Sequence, residues 1–224
     1  MRAIRDQQED GLQGLPGTRY EPTRAAFERL FREYGLPNRI RTDNGTPFAS
    51  HAVGGLSKLN IWWIRLGIRH ERIEKGQPQQ NGRHERMHRT LKRSLQEIGQ
   101  KNLKAQQHAL DGFMRYYNEE RPHEGLGQQT PGSQYSKSGR NYPKKLVPLE
   151  YPDHYLRANV STSGMAYWRS YRVYAGYMLE GEQIGLEPVG DGLWEVYFGY
   201  VRLGQLDERH ADKNGYVAVK LSPM

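Results

Sequence analysis

The chain has 224 residues, enough for one substantial domain and a small one. It carries 33 Lys and Arg against 25 Asp and Glu, a net charge of +8 with a pI near 9.6, which favours a polyanionic partner, nucleic acid first. The absence of cysteine excludes disulfides and every Cys-ligated zinc or iron site.

Residues 1 to 20 show no period and carry Gly11, Gly14, Pro16 and Gly17, so they read as loop. Neither they nor the longest apolar run, Ile61-Trp62-Trp63-Ile64, can act as a signal peptide or membrane span, and a cytoplasmic, nucleoid-associated protein is expected. EPTRAAFERLFREYGLP predicts an amphipathic helix with Ala26, Phe27, Leu30, Phe31 and Tyr34 on one face, stopped by Gly35 and Pro37. RIRT then predicts a strand running into Asp43-Asn44-Gly45, a turn signal. A second helix is predicted from Leu56 to Leu66 and a second strand from Ile68 to Ile73.

The polar loop EKGQPQQNG leads into a long helix with the stripe Met87, Leu91, Leu95 and Ile98. A further helix is expected over Lys104 to Glu119, burying Ala109, Leu110, Phe113, Met114 and Tyr117. Thr130-Pro131 suits the start of a last short helix. Residues 136 to 153 are rich in Lys, Pro and Gly and read as a linker. From 154 to 224 the period is strand-like and aromatic, with a hairpin signal at Asp191-Gly192, which predicts a small all-β, barrel-like domain.

NGRHERMHRTLK, residues 81 to 92, invites two readings. HERMH fits H-E-x-x-H, the helical zinc motif of metalloproteases, but the extended form of that motif needs Gly and His where this chain has Leu91 and Ser94. The surrounding arginines would also repel a dication. In the second reading Glu85 is an acid on a cationic face. At about 100° per residue, Arg89 lies about 40° and Lys92 about −20° from Glu85, with Met87 about −160° away on the core side. Such an acid can hold a hard cation through oxygen while the cations hold a DNA backbone. A surface glutamate paired with Arg89 at i+4 is the plainer alternative. Asp43, at the end of a predicted strand, sits where open α/β sheets place ligand sites, although an ordinary Asx turn would also put an Asp there.

Three stretches together resemble the integrase-core transposases of bacterial insertion sequences, relatives of retroviral integrase with a DDE triad: YGLPNRIRTDNGTPFAS, GIRHERIEKGQPQQNGRHERMHRTLKRSL and YNEERPHEGLGQQTPGSQY. The resemblance runs over residues 21 to 135. The β-rich tail is similar to the small domain that follows the core in one branch. It implies an α/β, RNase H-like integrase core over 21 to 135, incomplete at its N-terminus, then the linker and the β-barrel-like domain. It also implies DNA as partner (transposon ends and target), a homo-oligomer when full length, and Mg²⁺ or Mn²⁺ as cofactor. Residue by residue it implies Asp43 as the second acid and Glu85 as the third, both catalytic and metal-binding. One metal would activate water or a 3′-hydroxyl and the other would stabilise the leaving oxygen.

Between the two acids 41 residues intervene, a few more than in the retroviral type, and the excess is assigned to the Trp62-Trp63 region. The family's first acid is expected upstream of this chain's start, so the resemblance implies DDE-type strand transfer as the enzyme class without implying that this polypeptide is active. Asn81, Arg83, Arg86, Arg89 and Lys92 are candidate DNA contacts. Arg121, Pro122 and His123 read as a structural turn, and the four tryptophans as core. A catalytically inactive DNA-binding remnant and, behind it, a zinc metalloprotease remain the alternative readings.

Overall fold

The structure, a computed structural model, describes residues 4–5, 8–9, 19–50, 52–74, 87, 89–92 and 102–221. The chain divides into two compact units, Met1–Pro47 with Ile68–Pro143, and Phe48–Gly67 with Lys144–Met224.

In the first unit, strands β1 (Ile4–Arg5) and β2 (Gln8–Glu9) pair antiparallel, where the sequence suggested only loop. Helix α1 (Tyr20–Tyr34) forms where the apolar spacing predicts it and buries Ala26, Phe27, Leu30 and Phe31. It ends at Gly35, whose φ of 78° is open to glycine at little cost. A Cβ there would lie 2.7 Å from the Ser138 carbonyl oxygen, because residues 138 to 140 fold back over this turn. The Leu36 N–H donates to Arg140 O at 2.7 Å, and the Arg140 guanidinium donates to Pro37 O at 2.9 Å.

Strands β3 (Arg39–Thr42) and β4 (Arg69–Arg72) follow, paired parallel and in register from Arg39 with Arg69 to Thr42 with Arg72. A parallel pair needs a long crossover, and helix α2 (Lys58–Arg65) lies in it. Helix α3 (Leu103–Arg115) buries Leu110, Phe113 and Met114 and is capped by Asn102, whose side chain accepts from Ala105 N. The expected continuation to Glu119 is a π-helical turn, Tyr116–Glu120, closed by Arg121 N–H to Tyr116 O at 2.9 Å. Pro122 bars any further helix. Pro131–Gln134 forms a 3₁₀ turn capped by Thr130.

In the second unit, α2 begins with a reciprocal cap. Ser57 Oγ accepts from Asn60 N–H, and Asn60 Oδ1 accepts from Ser57 N–H. The helix is buried from Leu59 to Ile64, Trp62 and Trp63 included, and leaves Lys58 exposed. Its Ile61 and Ile64, with Leu56, share one core with the β-strands of this unit. The strands are β5 (Leu156–Asn159), β6 (Met165–Trp168), β7 (Tyr171–Tyr174), β8 (Gln183–Gly190), β9 (Leu193–Phe198), β10 (Val201–Asp207), β11 (Tyr216–Val217) and β12 (Lys220–Leu221).

One sheet runs β12-β10-β9-β8-β5 and the other β11-β7-β6. Among the described residues the expected barrel is therefore two open sheets, joined by a single bridge between Val160 and Ala166. The four-residue strands β6 and β7 and the two-residue β11 offer too few ladder bonds to close the ring. Asp191-Gly192 turns β8 into β9, as the dipeptide predicts. Trp168 and Trp194 lie in this core, and the Trp194 indole N–H donates to Glu208 at 2.9 Å.

Candidate functional site at the strand end

Asp43 follows the last residue of β3 and is exposed. Two short bonds hold its backbone and side chain, and two more tie its neighbours to the adjoining strand. The Gly45 N–H donates to Asp43 Oδ1 at 2.8 Å, which is the Asx turn that the sequence suggested as the plainer reading. The Thr42 hydroxyl donates to Asp43 O at 2.8 Å, and Thr42 Oγ1 lies 2.8 Å from His70 Nε2 on the neighbouring strand. A hydroxyl has one hydrogen, so His70 Nε2 must carry the proton of this second bond. Asn44 Nδ2 donates to Ile73 O at 2.9 Å, tying the loop after β3 to the end of β4.

His70 is largely enclosed. Burial, reinforced by the Arg72 charge and opposed by Glu71, lowers its pKa to about 4, so the ring is neutral at pH 7. Arg72 is itself lowered by burial. On the exposed side of the pair, Glu71 accepts from Arg39 at 2.9 Å and from Arg41 at 2.9 Å. Thr42, Asn44 and His70 were not among the residues the sequence singled out. Thr42 and Asn44 flank the acid and could have been flagged, whereas His70 is 28 positions away and only the register of the two strands brings it there.

Glu85 lies outside the described residues, as do Asn81, Arg83, Arg86 and both histidines of the H-E-x-x-H stretch. Met87 and residues 89 to 92 are helical. Met87 and Leu91 are buried against Leu110, Phe113 and Met114, while Arg89 and Lys92 are exposed, as the spacing around the helix requires. Arg121 donates to Thr90 Oγ1 at 3.2 Å and lies over the Tyr117 ring. The His123 ring packs edge-on to the same tyrosine at 4.6 Å. Arg121 and His123 thus serve packing.

The donor chemistry at Asp43 fits a hard divalent cation: an exposed carboxylate at a strand end, with one oxygen oriented by a backbone N–H. Among the described residues no three His, Asp or Glu side chains gather to hold a metal ion, so further ligands would have to come from elsewhere. No helix among the described residues is long and apolar enough to cross a membrane. Charge is divided unevenly. The first unit has 22 basic against 15 acidic residues, and the second 11 against 10.

Residues 66–131 match the integrase core domain family. The chain is 32% identical over 107 residues to the insertion element IS476 uncharacterized 39.2 kDa protein of Xanthomonas euvesicatoria, a stretch that is 47% of this chain and 29% of that protein. It is 34% identical over 76 residues to the Pol polyprotein of radiation murine leukemia virus (strain Kaplan), 34% of this chain and 12% of that one. The chain thus spans less than a third of the length of these curated relatives. A chain from the cryoEM structure of the simian T-cell lymphotropic virus intasome in complex with PP2A regulatory subunit B56 gamma aligns over 83% of this chain and 65% of its own. At 19% identity and a TM-score of 0.42, that likeness decides nothing further. The motif resemblance is thus matched independently by the integrase core domain family, over residues 66–131, and by these relatives.

Proposed function

We propose that this chain belongs to a DNA transposase or integrase, an enzyme of metal-dependent phosphodiester hydrolysis and strand transfer. The observation that carries the reading is the placement of Asp43, exposed and anchored at the C-terminal end of a parallel strand pair, in the unit that holds most of the net positive charge. Asp43 and Glu85 would hold Mg²⁺ or Mn²⁺ in an RNase H-like core. When bound, such an ion lowers the pKa of an attacking water or 3′-hydroxyl and neutralises the leaving oxygen.

Arg89 and Lys92, exposed on a helix whose other face is buried, would hold phosphates, with Asn81, Arg83 and Arg86 beside them in sequence. The two open sheets of the second unit would serve as a small β-module that contacts DNA, in an assembly of several copies.

A strand-transfer assay with Mn²⁺ on this chain, and on one extended upstream, tests the proposal. Asp43→Asn and Glu85→Gln should each abolish transfer while sparing DNA binding. Transfer retained by either variant would refute the assignment. DNA binding without transfer in both parent proteins would favour the binding-only reading.

A further inference from the structure

The residues that steer the acid are separable from the acid itself. Thr42 is buried, and its only hydroxyl hydrogen goes to the Asp43 carbonyl oxygen at 2.8 Å. His70, one strand across, reaches the same hydroxyl at 2.8 Å with a donor N–H. Asn44 makes a second tie to β4 through Ile73 O at 2.9 Å. The peptide units on both sides of the Asp43 side chain are therefore held, Thr42 O by the Ile73 N–H at 3.2 Å just past β4 and Asp43 O by the Thr42 hydroxyl, and the Gly45 N–H then orients one of its carboxylate oxygens.

Elsewhere among the described residues, buried polar ties sit inside packed cores. Tyr151, for example, donates to Gln183 O and accepts from Gly199 N–H in the second core. The ties around Asp43 differ, because they converge on an exposed loop that packing alone would leave loose. We infer that Thr42 and His70, with Asn44, are positioning residues that aim the Asp43 carboxylate at a divalent cation. This rests on the reading of Asp43 as a metal ligand.

Partners that orient a ligand without touching the metal commonly change affinity by about 10- to 100-fold when removed. The experiment is Mn²⁺ binding to the whole chain, read from loss of the free-ion electron paramagnetic resonance signal. Thermal melts run alongside. Thr42→Val and His70→Leu should weaken binding about tenfold. Thr42→Ser and His70→Gln, which keep the hydroxyl and the N–H donor, should bind within about twofold of the parent. Asn44→Ala should fall between.

Parent-like binding by Thr42→Val and His70→Leu, with binding lost in Asp43→Asn, overturns this inference and leaves the function standing. Equal loss in the conservative and the disruptive variants also overturns it, since the role would then be packing. A parent that does not bind Mn²⁺, or that binds it equally well as Asp43→Asn, overturns the reading of Asp43 itself.

Discussion

Gly45 closes an Asx turn on Asp43: its N–H donates to Asp43 Oδ1 at 2.8 Å, and a Cβ on residue 45 would sit 3.0 Å from that same oxygen. That separation is short enough to displace a carboxylate, and Gly45 lies outside the positive-φ set, so alanine suits its backbone. Gly45→Ala should therefore leave the melting temperature unchanged or slightly raised, since alanine lowers unfolded-state entropy by up to about 1 kcal/mol. It should weaken Mn²⁺ binding several-fold. Binding at parental strength would show that the carboxylate tolerates the methyl group.

His70 gives a pH dependence whose direction is fixed. Its folded pKa, about 4, lies below the ordinary histidine value of 6.5, so the unfolded chain binds the extra proton between those two values. Stability is complete above pH 6.5 and declines as the pH falls towards 4, by an amount on the order of 2 kcal/mol for a ring that keeps some solvent contact. Asp207 is shifted well below its ordinary range by its bonds with Arg209, so its own stabilising effect is lost only at lower pH. Urea midpoints should therefore decline from pH 6.5 through 5.5 to 4.5 for the parent and flatten in His70→Gln. Equal slopes in the two proteins would remove His70 as the cause.

Within the second unit, Arg65 at the end of α2 meets Glu182 at 2.5 Å and donates to Val147 O at 3.1 Å. Both charged side chains are mostly enclosed, 18% and 20% exposed, so the pair is screened less than a surface one. A double-mutant cycle with Arg65→Met and Glu182→Gln should give a coupling of about 1–3 kcal/mol in urea unfolding. Coupling near zero would mean that Arg65 stabilises through Val147 alone.

Gly192 turns β8 into β9 at a φ of +71°, and a Cβ there would lie 3.0 Å from Arg209 Cγ. Gly192→Ala should cost about 1–2 kcal/mol from the left-handed backbone. The thermal midpoint of the second unit should fall accordingly. A midpoint shift below about 1 °C would mean that the hairpin adopts another turn.

Arg89 and Lys92 can be tested as phosphate contacts without any catalysis. Each phosphate neutralised on a duplex adds about 0.9 to the slope of log affinity against log salt. Arg89→Ala and Lys92→Ala should each lower that slope by about that amount, equally on unrelated sequences. An unchanged slope would leave them as solvated side chains.

Much of the local structure could be read directly from the chain. The Ala26, Phe27, Leu30, Phe31 spacing allows only a helix, RIRT ends at the acid it was expected to end at, and Asp191-Gly192 makes its hairpin. Asp43 was legible for the same reason: a strand, an acid and an Asn-Gly turn are consecutive letters. Its supports were not. Thr42 and His70 meet because β3 and β4 pair in one register, and a shift of one residue would turn the histidine to the other face.

The partner that α2 buries itself against was likewise beyond the reach of periodicity. KLNIWWIR keeps its cations, Lys58 and Arg65, on one side and is buried from Leu59 to Ile64 around the rest, an arc too wide to point to one neighbour. In the folded protein Ile61 and Ile64 join the core of the C-terminal strands, and the segment from Phe48 to Gly67 goes with them, although it lies between two paired strands of the other unit. Spacing along a chain encodes which side of an element is apolar. It does not encode which distant surface will exclude water from that side, because burial is shared among residues that meet only after the backbone has closed.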